Sequence, residues 1–291
     1  MSVSALAAEI ELDHLTGYRD SRPVRIGNLA AHQQQLDIYG ELLDAIYLCD
    51  KWVRPVSYDF WKVIRDSIVP LVVNCWNDPD HGIWESRAEP QNHVYSKVMA
   101  WVAMDRVIRL ANKRALPAPI AEWTKVRDAI YEDVMNKGYN QELGVFTRYY
   151  GSKDLDASNL IMPLVFFLPA DDPRFLRTLE KTILPPCNGG LTVNHLVFRY
   201  HSGRNHKDEE GTFSICSFWL VEALARAGKR QPKLLDEAVM MFEDIIGYAN
   251  HLGLFSEEIG INGAALGNFP QAFTHLSLIS AAFNLDRALD E

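Results

Sequence analysis

Almost nothing in this 291-residue chain alternates apolar and polar residues with a period of two, so half-buried strands cannot be its main building element. It also lacks a run of the roughly eighteen apolar residues that would span a bilayer. Its opening residues, MSVSALAAEIELDHL, have neither a basic stretch nor an uninterrupted apolar one. No export or membrane signal is read, and a cytoplasmic setting is expected. The four cysteines, Cys49, Cys75, Cys187 and Cys216, form no CxxC pair and stand mostly among apolar neighbours, as reduced core residues do. His93, His195, His201, His206 and His275 never fall into HExxH or HxH spacing, which argues against a metal site. GxSxG, the P-loop and GxGxxG are all absent, so acyl transfer, nucleotide hydrolysis and nicotinamide chemistry have no foothold, and no cofactor is expected. With a net charge of -9 and no dense cluster of Lys and Arg, a nucleic-acid partner is not expected either.

What the chain does have is apolar residues at three- and four-residue spacing nearly throughout, with 48% hydrophobic content. This predicts an all-α protein forming a single domain over residues 1–291. About nine helices are expected, at 28–51, 57–76, 93–114, 118–137, 157–168, 173–184, 212–228, 231–251 and 269–288. Asp172-Pro173 has the form of an N-cap followed by proline in the first helical position, while Gly138 and Gly228 fall where helices stop. The connections at 16–28, 77–92, 138–156, 185–211 and 252–268 hold much of the Gly, Pro, Trp, Arg and carboxylate content. Loops so composed are where function is expected, and a ring of alternating helices would gather most of them at one end.

Four loops offer chemistry. HGIWESR puts Glu85 beside Trp84 and near Arg87; an aromatic wall that excludes water suits a carboxyl used as a general acid, while the plain alternative is a surface pair with Arg87. GLFSEEIG carries Glu257 and Glu258 in sequence, able to divide proton acceptance from water and the holding of a sugar hydroxyl, or merely to complement a helix dipole. In FRYHSGRNHKDEEGTF, the forked guanidinium groups of Arg199 and Arg204 suit paired hydroxyls or a carboxylate, against the alternative of a solvated charged loop. SRPVRIGN presents Arg22 and Arg25 in the same manner.

Taken in order, GYRDSRPVRIGN with QLDIYGELLDA, then GIWESR, VYSKVMAWVAMDRVIRLA, LDASNLIMPLVFFLP, EEGTFSICSFWLVEALARAG, and LFSEEIG with LGNFPQAFTHLSLI, resemble glycoside hydrolase family 15. That family holds the glucoamylases, glucodextranases and bacterial trehalases, and the likeness runs from about residue 12 to about 288. The resemblance implies an (α/α)6 toroid, an α-glucoside such as trehalose or an α-glucan oligosaccharide as substrate, inversion at the anomeric carbon, and no metal or cofactor in the chemistry. By position it implies that Glu85 is the general acid and Glu257 the general base, with Glu258 as rival for the base. It likewise implies that Trp84, Arg22, Arg25, Arg87, Arg199 and Glu210 line the sugar site.

The same resemblance implies an N-terminal β-rich domain and opening helices, with a Trp-Arg-Asp segment, that have no counterpart in this chain. Nine helices are too few for a complete ring, so a partial toroid with two open apolar edges is expected. Such edges call for a second copy of the chain or another polypeptide bringing the absent part. A sugar-binding or scaffold protein without strong activity is the alternative expectation.

Overall fold

The computed structural model describes residues 9–200 and 210–290. Among these residues eight helices account for the fold: α1 (Ile38–Trp52), α2, α3 (Val94–Arg114), α4 (Ile120–Asp133), α5 (Pro173–Ile183), α6 (Ser214–Gly228), α7 (Pro232–Ile246) and α8 (Ala272–Asp290). Helix α2 runs as Tyr58–Val63, loosens into one π-turn at Ile64–Ile68 and continues as Val69–Cys75. The cause is Pro70, which cannot donate a backbone hydrogen bond and whose ring crowds the preceding turn; the wider turn absorbs both defects.

Two helices are hubs. Helix α3 is buried around most of its circumference, from Val94 to Ala111, and α6 is buried from Ser214 to Gly228 with few breaks. Helices apolar on every side belong to an interior. Helices α1 and α4 pack on α3, and α7 and α8 pack on α6, so the hubs anchor two helical groups within one continuous core. Helix α1 comes so close to α3 that a Cβ placed on Gly40 would lie 2.1 Å from the Met99 carbonyl oxygen. Between the hubs, Asp156 caps a short turn at Ala157–Ile161 by accepting the Ser158 backbone N–H at 2.9 Å.

Two expected helices change shape. The segment 157–168 is no α-helix: its single tight turn is followed by irregular turns that include Phe166 at φ +65. It is apolar because it is wedged between the hubs, not because one helical face is buried. The first helix begins at Ile38 rather than at 28, after an isolated turn at Leu29–His32. Asn28 does cap that turn, accepting from Ala30 N–H at 2.9 Å, but Gln33 is extended and the next residues are tied to another loop. The helices of the described residues therefore number eight instead of nine.

Among the described residues nine two-residue strands stitch the loops together. They are β1 (Ile10–Glu11) with β2 (Arg25–Ile26), β3 (Tyr139–Asn140) with β4 (Val145–Phe146), β5 (Thr192–Val193) with β6 (Leu196–Val197), and the set β7 (Thr212–Phe213), β8 (Glu258–Ile259) and β9 (Ala265–Leu266). All pairings are antiparallel, with β8 in the centre of its set and Glu258 opposite both Phe213 and Leu266. Among the described residues no helix is long and apolar enough to cross a membrane. The cysteines are free; Cys216 is buried, whereas Cys187 is exposed, contrary to the expected core setting.

Candidate active site

The loop 77–92 is locked at its base. Asp80 pairs in backbone with Gln91, and its buried carboxylate accepts the Leu36 N–H at 3.0 Å and the Ser96 hydroxyl at 2.7 Å. The segment 28–36 lies along it as a strap: His81 N–H donates to the Gln34 carbonyl at 2.9 Å, and Gln33 Nε2 donates to the carbonyls of Glu85 at 3.2 Å and Ser86 at 2.9 Å. These bonds use the backbone and side chains that a longer first helix would have turned inward.

Above this base opens a cleft of about 530 Å³, lined by residues that include Arg25, Asn28, Trp84, Glu85, Arg87, Arg199 and Tyr200. Glu85 is exposed on it, with backbone φ +52, and its Oε2 accepts from Asn28 Nδ2 at 3.2 Å. Among the described residues Glu85 has no ion pair, so the surface pair with Arg87 is not formed. Trp84 lines the same cleft and is anchored on its inner side. Its indole N–H meets both oxygens of Asp156, at 2.9 and 3.0 Å, and its ring packs on Phe213 and Trp219 with centroids 5.6 and 6.1 Å away.

Arg199 and Glu210 form a two-pronged ion pair, at 3.0 and 2.5 Å, and the Arg199 guanidinium lies over Phe213, Tyr200 and Trp84. Arg25 lines the cleft too, but it is held by Glu9 and Glu11 at 2.8 Å each. Arg87 lines the cleft exposed, whereas Arg22 is exposed outside its lining. Arg204, His201 and His206 lie outside the described residues.

The adjacent carboxylates of the last loop diverge, as successive residues of a strand must. Glu257 is half-buried; its Oε2 accepts the Asn268 N–H at 2.9 Å, and its own backbone is bonded to Asn268 and Ser214. Among the described residues its other oxygen has no partner. Glu258 turns toward the Phe213 side, where its Oε2 accepts the Gly211 N–H at 2.9 Å. Burial pushes its carboxyl up to about 7, an effect that the Gly211 N–H opposes, that Glu210 and Glu257 reinforce by repulsion, and that Arg199 reduces. A Cβ on Gly211 would lie 3.1 Å from both Glu258 Oε2 and the Ile259 carbonyl oxygen, so a side chain there would be tightly fitted. Neither Glu257 nor Glu258 lines the cleft around Glu85. Both connect to it through β7, whose Phe213 packs on Trp84.

Sequence reasoning missed Asn28, Gln33, Arg148, Asp156 and Tyr200. Asn28 has a local signal as a turn cap, and so has Asp156, a carboxylate just ahead of the apolar run LIMPLVFFLP. Gln33 and Tyr200 line the cleft and Arg148 lies over Tyr200, through contacts that no spacing announces. Among the described residues, no group of three or more His, Cys, Asp or Glu side chains could hold a metal ion.

Hub helices with loops converging on a cleft of carboxylates, guanidinium groups and aromatic rings define the class of protein: the helical (α/α)6 toroid fold, of which this chain forms part. A glycosidase solved in complex with glucose has this fold with a TM-score of 0.72 at 20% identity, over 87% of this chain and 67% of that one. The glucoamylase from Saccharomycopsis fibuligera gives 0.69 at 11% identity, over 87% and 70%. Residues 2–283 match the model of Glycosyl hydrolases family 15, and the chain belongs to that family. A trehalase of Mycobacterium tuberculosis is 42% identical over 97% of this chain and 40% of its own length. A trehalase of Thermoplasma acidophilum is 42% identical over 96% and 46%. The chain thus spans less than half the length of these curated relatives.

Proposed function

We propose that this protein acts in the inverting hydrolysis of an α-glucosidic bond, with trehalose as the first substrate to test. The observation that carries the reading is Glu85. It stands on the wall of a cleft whose volume suits a small ligand, held by a single amide and neutralised by no cation among the described residues. The relatives named trehalase support the choice of substrate.

In this reading Glu85 protonates the glycosidic oxygen as the bond to the anomeric carbon breaks. Glu257 removes a proton from a water that attacks the opposite face of the ring, so the configuration inverts. The geometry requires the two carboxyl groups to stand roughly 6.5–9.5 Å apart, leaving room for that water. Glu257 suits the base because the Asn268 N–H fixes one oxygen and the other is open to a water. Arg199, with its plane set by Glu210 and the aromatic rings beneath, offers N–H groups to paired sugar hydroxyls; Arg25 and Arg87 line the same cleft.

The assembly that turns over substrate includes further helices packed on this chain, from a second copy or from a polypeptide carrying them. Helix α8 supports this. Thr274, Ser277, Ala281, Leu285 and Ala288 are buried on one face, yet Phe273, Leu276, Ile279 and Phe283 lie 62–67% exposed on the other. A helix apolar on both faces is built to be covered twice, and each wet Phe, Leu or Ile forgoes about 1.5–3 kcal/mol of burial. Trp52 and Val53, 73% and 77% exposed at the end of α1, mark a second such edge.

The test is hydrolysis of trehalose and maltotriose followed by NMR. Inversion yields one β- and one α-glucose from each trehalose at early times; release of α-glucose alone refutes it. Glu85→Gln and Glu257→Gln should each lower kcat by at least about a hundredfold. If Glu258→Gln does so while Glu257→Gln does not, the base is Glu258.

A further inference from the structure

Three loops of the cleft meet on one buried carboxylate. Asp156, 4% exposed, accepts the Trp84 indole N–H from loop 77–92 at 2.9 and 3.0 Å. It also accepts the Ser158 backbone N–H at 2.9 Å and the Ser158 hydroxyl at 2.6 Å, and stands 3.8 Å from Arg148 Nε. The Arg148 guanidinium lies flat against Tyr200, 3.5 Å from the ring centroid, and Tyr200 lines the cleft. The backbone repeats the connection, because Asp156 pairs with Tyr200 and Ala157 N–H donates to the Arg199 carbonyl at 2.8 Å.

Capping the turn at Ala157–Ile161 requires only one acceptor oxygen, which serine or asparagine would supply. Here the carboxylate does more: both oxygens receive the indole N–H, and its charge faces Arg148. Glu85 follows Trp84 directly in a left-handed conformation that a residue with a Cβ keeps only when its surroundings hold it. With the Trp84 ring pinned between Phe213, Trp219 and Asp156, the backbone leading into Glu85 has a fixed point.

We propose that Asp156 is a positioning residue of the cleft: by holding the Trp84 indole it fixes the backbone from which Glu85 projects, and through Arg148 it sets the ring of Tyr200. The consequence for catalysis rests on the proposed function, while the geometric part does not. Both are tested on the whole protein in its active assembly, with Asp156→Asn, Trp84→Phe, the double variant and Glu85→Gln. Asn keeps the cap, and Phe keeps an aromatic ring, smaller than the indole, without the N–H.

Trp84→Phe identifies which of the seven tryptophan indole N–H resonances belongs to Trp84. That proton should exchange slowly with solvent in the parent protein, and in Asp156→Asn it should shift and exchange at least tenfold faster. On trehalose, each single variant should lose about ten- to a hundredfold in kcat with KM changed less than threefold, since a small misplacement of a reacting group costs on that scale. The double variant should be no worse than the worse single. An unchanged Trp84 resonance in Asp156→Asn, parental kcat in Trp84→Phe, or losses that multiply in the double variant would overturn the proposal. If Asp156→Asn does not fold, the kcat of Trp84→Phe alone decides. Retained activity in Glu85→Gln sinks the functional reading instead, and leaves the indole measurement to judge the positioning.

Discussion

Glu258→Gln should stabilise the protein at alkaline pH and leave it unchanged in acid. The Glu258 carboxyl, set between Phe213 and Leu266 in the middle of a three-stranded sheet, is pushed from its ordinary 4.5 to about 7, chiefly by burial. At about 1.4 kcal/mol per pH unit, that rise corresponds to a ceiling of about 3 kcal/mol. The residue is only half-buried, so solvent screening brings the expectation down to about 1–2 kcal/mol. The sign follows from proton counts. Between pH 4.5 and 7 the unfolded chain has released this proton while the folded chain keeps it, so folded stability falls as pH rises through that window and is level above it. Gln cannot ionise and escapes the loss, and its carbonyl can still accept the Gly211 N–H. Urea denaturation of parent and variant at pH 4.5, 6, 7 and 8.5 measures the gap. It should be near zero at pH 4.5, open up to pH 7 and then stay constant. A gap independent of pH, or a variant less stable than the parent at pH 8.5, refutes the claim that burial of an ionisable carboxyl governs this sheet.

Other substitutions probe the strap, the hubs and the open faces. Asn28→Ala removes the amide that holds the Glu85 carboxylate and should lower kcat/KM on trehalose about five- to tenfold; Asn28→Asp, which sets a like charge there, should cost more, as steady-state kinetics would record. Gly40→Ala drives a methyl group into the Met99 carbonyl, and denaturant unfolding should show a loss of at least about 2 kcal/mol, since neither helix backbone can yield cheaply. Phe273→Ser combined with Ile279→Ser strips the outer face of α8 while its buried seam stays intact. Sedimentation should find the parent chain associated, with itself or with a partner, and the double variant shifted toward monomer; a parent that is monomeric and fully active contradicts the packing role assigned to that face.

The hub helices were legible because burial on all sides writes a dense apolar pattern at helical spacing: Val94–Arg114 and Ser214–Gly228 fall within about two residues of their predicted spans. The same density misled at 157–168, where LIMPLVFFLP is apolar for position rather than for periodicity, and Pro163 with a left-handed Phe166 breaks the helix that the composition suggests. At residues 28–37 a true cap was followed by only one turn, because hydrogen bonds from 33–36 to loop 80–86 outweigh helical propensity. The order of the motif blocks carried the family and singled out Glu85 and Glu257 as candidates, yet none of the side chains that hold the Glu85 loop, since Asn28 is 57 residues from Glu85 and Trp84 is 72 from Asp156. One signal was nonetheless available. Asp156 stands just ahead of the apolar run LIMPLVFFLP, where a carboxylate is costly to bury unless donors converge on it. Its presence there implies donors from elsewhere in the fold, and an indole N–H, a hydroxyl and a backbone amide are what Asp156 receives. A charge at the edge of a buried apolar run therefore signals a long-range contact in the residues themselves. In this chain that contact leads to the residue beside the candidate acid.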